Sequence, residues 1–194
     1  MKQLKIFFFV LLIILLSFLV NIFNSNFYNE KFKENGAYET FGEEAYSVNT
    51  EVFKYLSFRG ELNTNFFNEK EKEHLKDVRR LFTGGYILLL ISLFSLSFIK
   101  KTELNNILLK SGVIGFAFIL LFVLLSYFGF NALFTGFHEV FFEDGTWLFN
   151  PDENITKLYT FDLFYDLFLR TLLTSIFLFF LLIIIYMVKV KYQK

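Results

Sequence analysis

Apolar residues along this chain collect in four long blocks separated by polar, charged stretches. The blocks are Ile6–Phe23, opening IFFFVLLIILL, then Gly84–Ile99, Ile107–Phe130 and Leu167–Val188. Crossing the hydrocarbon of a bilayer takes about 20 apolar residues, with roughly 17–25 tolerated. Three blocks meet that length as they stand. The second is short and borrows from Val78–Thr83, giving a span over about 80–99. Hydrocarbon offers bare backbone groups no partner, so each span must be helical. The pattern predicts an all-α membrane protein: four transmembrane helices over 6–23, 80–99, 107–130 and 167–188. Two structured segments, 24–79 and 131–166, lie between them, and residues 1–194 form a single membrane domain.

The segments between blocks are too long for passive tethers and should carry structure of their own. Asn24–Thr50 is polar with scattered Tyr and Phe, and Thr50–Phe58 reads as a short amphipathic helix lying on the membrane. Asn68-Glu69-Lys70-Glu71 has the form of a capping box, with Asn68 as N-cap and Glu71 as its partner. A helix starting there should run through His74, Asp77 and Val78 straight into the second span. In the later segment, Asn150-Pro151-Asp152 predicts a turn.

Composition agrees with the pattern: 55% of the 194 residues are hydrophobic, 22% aromatic, and 31 are Phe. Net charge is zero, so no basic footprint for nucleic acid exists. With no cysteine, disulfides, thiolate metal sites and thiol nucleophiles are excluded.

Charge also orients the chain. The short flanks hold Lys2, Lys5, Lys100, Lys101, Lys110, Lys189, Lys191 and Lys194. The segment between blocks three and four is acidic: Glu139, Glu143, Asp144, Asp152, Glu153, Asp162 and Asp166. Both termini are therefore expected in the cytoplasm of a multi-pass plasma-membrane protein, with 24–79 and 131–166 extracytoplasmic. The first connection holds nine basic residues, but long loops translocate largely regardless of charge. The first block exceeds a secretory core, and its exit, Asn21-Ile22-Phe23-Asn24, lacks a small-residue cleavage pattern. It reads as a retained signal anchor.

Only two histidines occur, His74 and His138, and both fall in the outer segments close to a span. Asp77 shares a helical face with His74, and Glu139 follows His138. Ordinary interfacial side chains are the bland reading. Two sharper ones compete: an acid/base pair, or a metal site made of His74, Asp77, His138 and Glu139. The spacing has no His-Glu-x-x-His pair, which favours acid/base work and an expectation of no metal or cofactor. There is no Gly-x-Ser-x-Gly elbow for serine catalysis. Arg79 and Arg80 are expected to reach towards lipid phosphates with their stems on apolar surface. Trp147 and Tyr159 fit an interfacial aromatic belt, and Arg170 a cation reaching outward from a span end. Gly84-Gly85 reads as a helix-packing or flexing point. Asn154-Ile155-Thr156 has the form of a glycosylation sequon, a triplet common by chance.

The stretches Phe66–Glu71 through His74-Leu75-Lys76-Asp77-Val78, and Phe137-His138-Glu139-Val140-Phe141-Phe142 through Trp147 and Asn150-Pro151, carry a resemblance. With the four-span layout, they resemble the DUF1461 integral membrane family, which includes the bacterial lipoprotein intramolecular transacylases. The chain departs from the family pattern in Leu158–Asp162, which has no proline. The resemblance implies transfer of the sn-2 acyl chain of a diacylglyceryl group to the α-amine of a lipoprotein's N-terminal cysteine. It implies His74 and His138 as catalytic residues supported by Asp77, with Glu139, Trp147, Arg79 and Arg80 near the substrate. The partners would be a diacylated lipoprotein N-terminus and membrane lipid. Two other readings stand beside it: a non-enzymatic membrane interaction subunit, and a metal-dependent lipid hydrolase. A transporter is disfavoured, because the spans lack interior ionisable groups.

Overall fold

The computed structural model describes residues 2–192, and among these there are eight helices and no strand. They are α1 (Lys2–Ile22), α2 (Ser25–Glu34), α3 (Ala37–Phe41), α4 (Glu44–Leu56), α5 (Glu69–Leu96), α6 (Lys101–Phe141), α7 (Asn154–Leu158) and α8 (Phe161–Lys191). Each of the four apolar blocks lies in one long helix: α1, α5, α6 and α8, all long and apolar enough to cross a membrane. This is a multi-pass membrane protein. Backbone dihedrals leave the helical region inside α6 at Gly129, one residue before the third apolar block ends. The kink sets off the last part of α6 as a short helix of its own.

The chain divides into two compact units. The first comprises Met1–Asn21, Gly85–Phe130 and Phe168–Lys194, that is, the apolar parts of the four long helices. Its core gathers Ile13 from α1, Ile119 from α6, and Leu172 and Phe179 from α8. Small residues bring α6 against α8. A Cβ on Gly115 would stand 2.2 Å from the ring of Phe179, and one on Gly112 would stand 2.8 Å from Ile183. These glycines, not Gly84-Gly85, make the close approach: a Cβ on either of the latter would meet nothing within 4 Å. Small residues at such contacts let helix backbones approach in lipid, where apolar burial gives no preference for helix over acyl chain. Outward, Leu90, Phe94, Leu124, Leu173 and Phe177 are all exposed, as side chains solvated by lipid should be. At one end Lys5 is buried, donating to the carbonyl of Phe98 and pairing with Glu103 at 2.7 Å. Asn21 donates to the Thr174 hydroxyl at 3.0 Å.

The second unit comprises Ile22–Gly84 and Asn131–Leu167. The polar stretch after the first span folds into three helices. The Asn24 side chain caps α2, accepting from Phe27 N–H, and left-handed backbone at Gly36 and Gly42 separates α2, α3 and α4. The helix expected over Thr50–Phe58 begins earlier, at Glu44. Ala45 and Val48 extend the apolar stripe of Val52, Phe53 and Leu56, and all five are buried. Phe27, Phe32, Phe67, Leu158 and Leu163 fill the unit's core with almost no exposure. Several of its polar groups are paired: the Tyr159 hydroxyl donates to Asn49 at 3.0 Å, and Lys31 bridges Glu34 and Asp166.

The capping box forms as its spacing predicts. The Asn68 side chain accepts from the Glu71 N–H at 2.9 Å, and the Glu71 carboxylate accepts from the Asn68 N–H at 2.7 Å. From there α5 is continuous through His74 to Leu96.

Candidate active site

His74 lies on α5 one turn beyond Glu71, and that carboxylate does more than close the capping box. It is buried, and its second oxygen accepts from the Ile155 N–H at the start of α7, at 2.7 Å. One side chain therefore fixes the start of α5 and ties it to the later segment. Asn154 adds a second tie, donating to the carbonyl of Phe66 at 2.7 Å. Its amide is engaged in the fold rather than presented as a glycosylation acceptor.

His138 sits on the short helix after the Gly129 kink. Its Nδ1 lies 2.7 Å from the carbonyl of Phe134, one turn earlier. A carbonyl only accepts, so Nδ1 carries the proton in this contact. A neutral ring then has its lone pair on Nε2. Beyond this helix, a turn from Glu143 to Thr146 passes through left-handed Gly145 and reverses the chain. That reversal lays the Trp147 ring against His138, with centroids 4.8 Å apart. Two residues on, Phe149 packs edge-on to His74 at 5.3 Å, and Lys70 holds that loop by donating to the carbonyl of Leu148.

The two imidazoles meet. Their rings stack 18° from parallel with centroids 6.2 Å apart, and Phe142 touches both, at 4.8 Å from His74 and 5.2 Å from His138. Phe134 adds a further ring 4.2 Å from His138. Both histidines thus sit in an aromatic cluster built from both segments of the second unit. His74 is buried, and its Nδ1 has no hydrogen-bond partner. Burial disfavours the charged form, with nearby His138 as a second cause, and the His74 pKa falls to about 4 against a partial pull upward from Asp77. Half-buried His138 is also lowered by desolvation, partly opposed by its bond to the Phe134 carbonyl. At neutral pH, two uncharged imidazoles face one another. Such a pair can take one proton and give another.

Comparison with known proteins bears on what this pair is for. The profile of the family described as "Lipoprotein intramolecular transacylase Lit" matches residues 3–165. The chain belongs to that family. A solved structure of the membrane-integral lipoprotein intramolecular transacylase Lit from Bacillus cereus superposes with a TM-score of 0.89. That match has 16% identity and covers 99% of this chain and 95% of the other. Structures of the same protein with a histidine replaced by alanine or by arginine each give a TM-score of 0.81 at 17% identity, covering 99% of this chain and 93% or 91% of theirs. At such identity, these matches establish a shared fold. A protein of Aquifex aeolicus (strain VF5), described as uncharacterized, is 25% identical over 104 residues. The match takes in 52% of this chain and 47% of that relative, so the chain spans about half the length of this curated relative.

Within the family fold, the remaining residues singled out from the sequence take varied positions. Asp77 makes no hydrogen bond to His74; its carboxylate pairs with Arg80 at 2.5 Å, and it acts on His74 through charge alone. Arg79 does not reach outward. Its guanidinium lies over the rings of Tyr55 and Phe58, at 4.3 and 4.7 Å, and 3.5 Å from Glu61. Arg80 is exposed, as is Glu139, which makes no ion pair or hydrogen bond among the described residues. Tyr159 is half-buried, with its hydroxyl turned inward to Asn49 rather than out to an interface, and Arg170 is exposed. The fourfold cluster weighed as a metal site does not assemble: among the described residues, no group of three or more His, Asp or Glu side chains could hold an ion. Phe134, Phe142 and Phe149 were not legible as site residues. In a chain with 31 Phe, nothing in their spacing marks them. Glu71 was visible only as a cap.

Proposed function

We propose that this chain is an active lipoprotein intramolecular transacylase. It moves the sn-2 acyl chain of the diacylglyceryl group to the α-amine of the N-terminal cysteine. Family membership supports the reaction, and one structural observation supports the residues: the stacked pair of uncharged imidazoles, His74 and His138, in an aromatic cluster.

In this reading Nε2 of His138, whose lone pair is left free by the Nδ1 contact, takes the proton released as the amine attacks the ester carbonyl. A C–N bond forms as the C–O bond to glycerol breaks. His74, held neutral by burial, gives a ring proton to the departing glycerol oxygen. The proton held by His138 then resets His74. No enzyme nucleophile is required, in keeping with the missing cysteine and serine elbow. Donor and acceptor belong to one substrate molecule, so holding it folded supplies much of the acceleration through proximity. The aromatic walls keep water from competing for the ester. Asp77 tunes His74 by charge, Trp147 packs on His138, and exposed Arg80 and Glu139 are assigned to the substrate's polar groups. Arg79 supports α5 from the side of α4.

The reading places both termini in the cytoplasm and the histidine pair on the outer face of the plasma membrane, where a lipoprotein's ester lies. Substrate and product are isomers of equal mass, so intact mass cannot report the reaction. The test is expression in a host whose lipoproteins are diacylated, with tandem mass spectrometry of N-terminal lipopeptides as the readout. The expected product is an N-acylated cysteine bearing a monoacylglyceryl thioether. Unchanged free-amine diacyl peptides, with the protein present in the membrane, would refute the proposal.

A further inference from the structure

A concavity lies in the second unit, lined by none of the residues packed around the histidine pair. It encloses about 340 Å³ and is lined by Phe23, Ser25, Tyr46, Thr50, Phe53, Lys54 and Arg59. Its charge is one-sided: Lys54 and Arg59 are both cations, and no carboxylate lines it. Neither cation is in an ion pair among the described residues.

An ordinary explanation would be that both serve the C-terminus of α4, whose carbonyls favour positive charge. Three of the last four carbonyls are already occupied. Ser57 N–H donates to Phe53, Phe58 N–H to Tyr55, and Arg59 N–H to Lys54 at 2.8 Å. Phe58 takes a left-handed conformation to close this cap, which folds Arg59 back beside Lys54. Arg59 Nε donates to the Ser57 hydroxyl at 2.9 Å, which steadies the guanidinium. The Lys54 ammonium and the terminal nitrogens of Arg59 are therefore free for a ligand. The Ser25 hydroxyl is also uncommitted, while that of Thr50 returns to the carbonyl of Tyr46. Phe23 and Phe53, edge-to-face at 5.4 Å, supply an apolar floor.

Depth identifies the ligand. Phe23 directly follows α1, and Ser25 is three residues past its end at Ile22, hence within about 10 Å of the point where the chain leaves the apolar span. The headgroup layer beyond the hydrocarbon is roughly 5–8 Å deep on each side. From cations, hydroxyl and depth together, we infer that this cavity binds the phosphate of a bilayer phospholipid. Arg59 and Lys54 grip the phosphate oxygens, Ser25 adds a hydrogen bond, and the lipid's apolar portion lies on Phe23 and Phe53. The cysteine-linked diacylglyceryl substrate contains no phosphate, so the occupant is a structural lipid holding the second unit at the membrane surface. This inference does not depend on the chemistry assigned to the histidines.

The test uses the full chain purified in neutral detergent, with binding measured by thermal shift. Dioctanoyl phosphatidylglycerol should bind the unmodified protein, and affinity should fall roughly ten-fold or more in the double variant Lys54→Gln/Arg59→Gln. Both side chains are exposed, so the ligand-free melting point should match the unmodified protein. The charge-conserving pair Lys54→Arg/Arg59→Lys should retain binding. Dioctanoylglycerol, with the same chains and no phosphate, should bind no better to the unmodified protein than to the double variant. Inorganic phosphate should bind more weakly than the lipid. Equal lipid affinity in the double variant, loss of binding in the charge-conserving pair, an equal response to dioctanoylglycerol, or an inorganic phosphate affinity matching the lipid's would each overturn the inference.

Discussion

The two units of this molecule use the same amino acids under opposite rules. In the unit of spans, burial gives little guidance: 39% of the apolar stretch of α1 is buried, against 11% of that of α5. An apolar side chain on lipid costs nothing, so shape at a few close contacts, above all Gly112 and Gly115 against α8, decides the packing. In the second unit, water is the alternative solvent. Each helix must bury an apolar face, end at a satisfied cap and pair its interior polar groups. Glu71, Asn154, Asn49 and Lys31 do that pairing. The difference explains where chemistry can reside. Two imidazoles can be held neutral and in register only where a hydrogen-bonded frame fixes both segments.

The largest effect is expected at Gly115. Gly115→Leu drives a side chain into Phe179, which is fully buried and has nowhere to move. The loss should exceed the about 1–3 kcal/mol of ordinary overpacking, and size-exclusion of detergent extracts should recover little monodisperse protein. Next is Glu71→Ala, which leaves the Asn68 and Ile155 N–H groups without their charged acceptor. Hydrogen bonds to charged groups contribute about 1.5–3 kcal/mol each, so a loss of about 3 kcal/mol is expected in thermal melting. An unchanged melting point would mean that the frame does not depend on this carboxylate.

A smaller effect comes from protons. His74 has a folded pKa of about 4 against an ordinary value of 6.5. A depressed histidine pKa means that the unfolded chain binds protons first as pH falls. Its full contribution is therefore present above about 6.5 and is lost progressively from there towards pH 4. Melting of the unmodified protein should drop across that window, and His74→Gln should drop less. Equal slopes would contradict the burial assigned to this ring. Smallest of all is Gly84→Ala. Its Cβ meets nothing, and alanine is the better helix former, so stability should change by less than about 1 kcal/mol. A large loss there would show α5 to be packed where it is not.

Much of the structure was legible in the sequence, for reasons rooted in the two solvents. Block length against bilayer thickness gives all four spans. The kink at Gly129 falls where the third block ends, and Asn68 with Glu71 announces the start of α5. The two histidines stood out because they were alone. What stayed hidden depends on tertiary structure. Gly112 and Gly115 look like any small residues in a span until α8 is laid against them. Arg79 looked like a cation bound for lipid phosphates, but Tyr55, Phe58 and Glu61 offer it a closer site. Phe149 acquires meaning only once a turn at Gly145 brings the chain back to His74, and Phe142 only once His74 packs against it.

In the proposed mechanism His74 and His138 act as one proton-transferring pair. A defined synthetic diacylated lipopeptide, incubated with purified protein and monitored for loss of its free amine, tests it directly. His74→Gln and His138→Gln should each lose about 10²–10⁴-fold in rate while eluting and melting as folded protein, and combining them should add little further. If either single variant retained the full rate, the pair would not be the source of the chemistry.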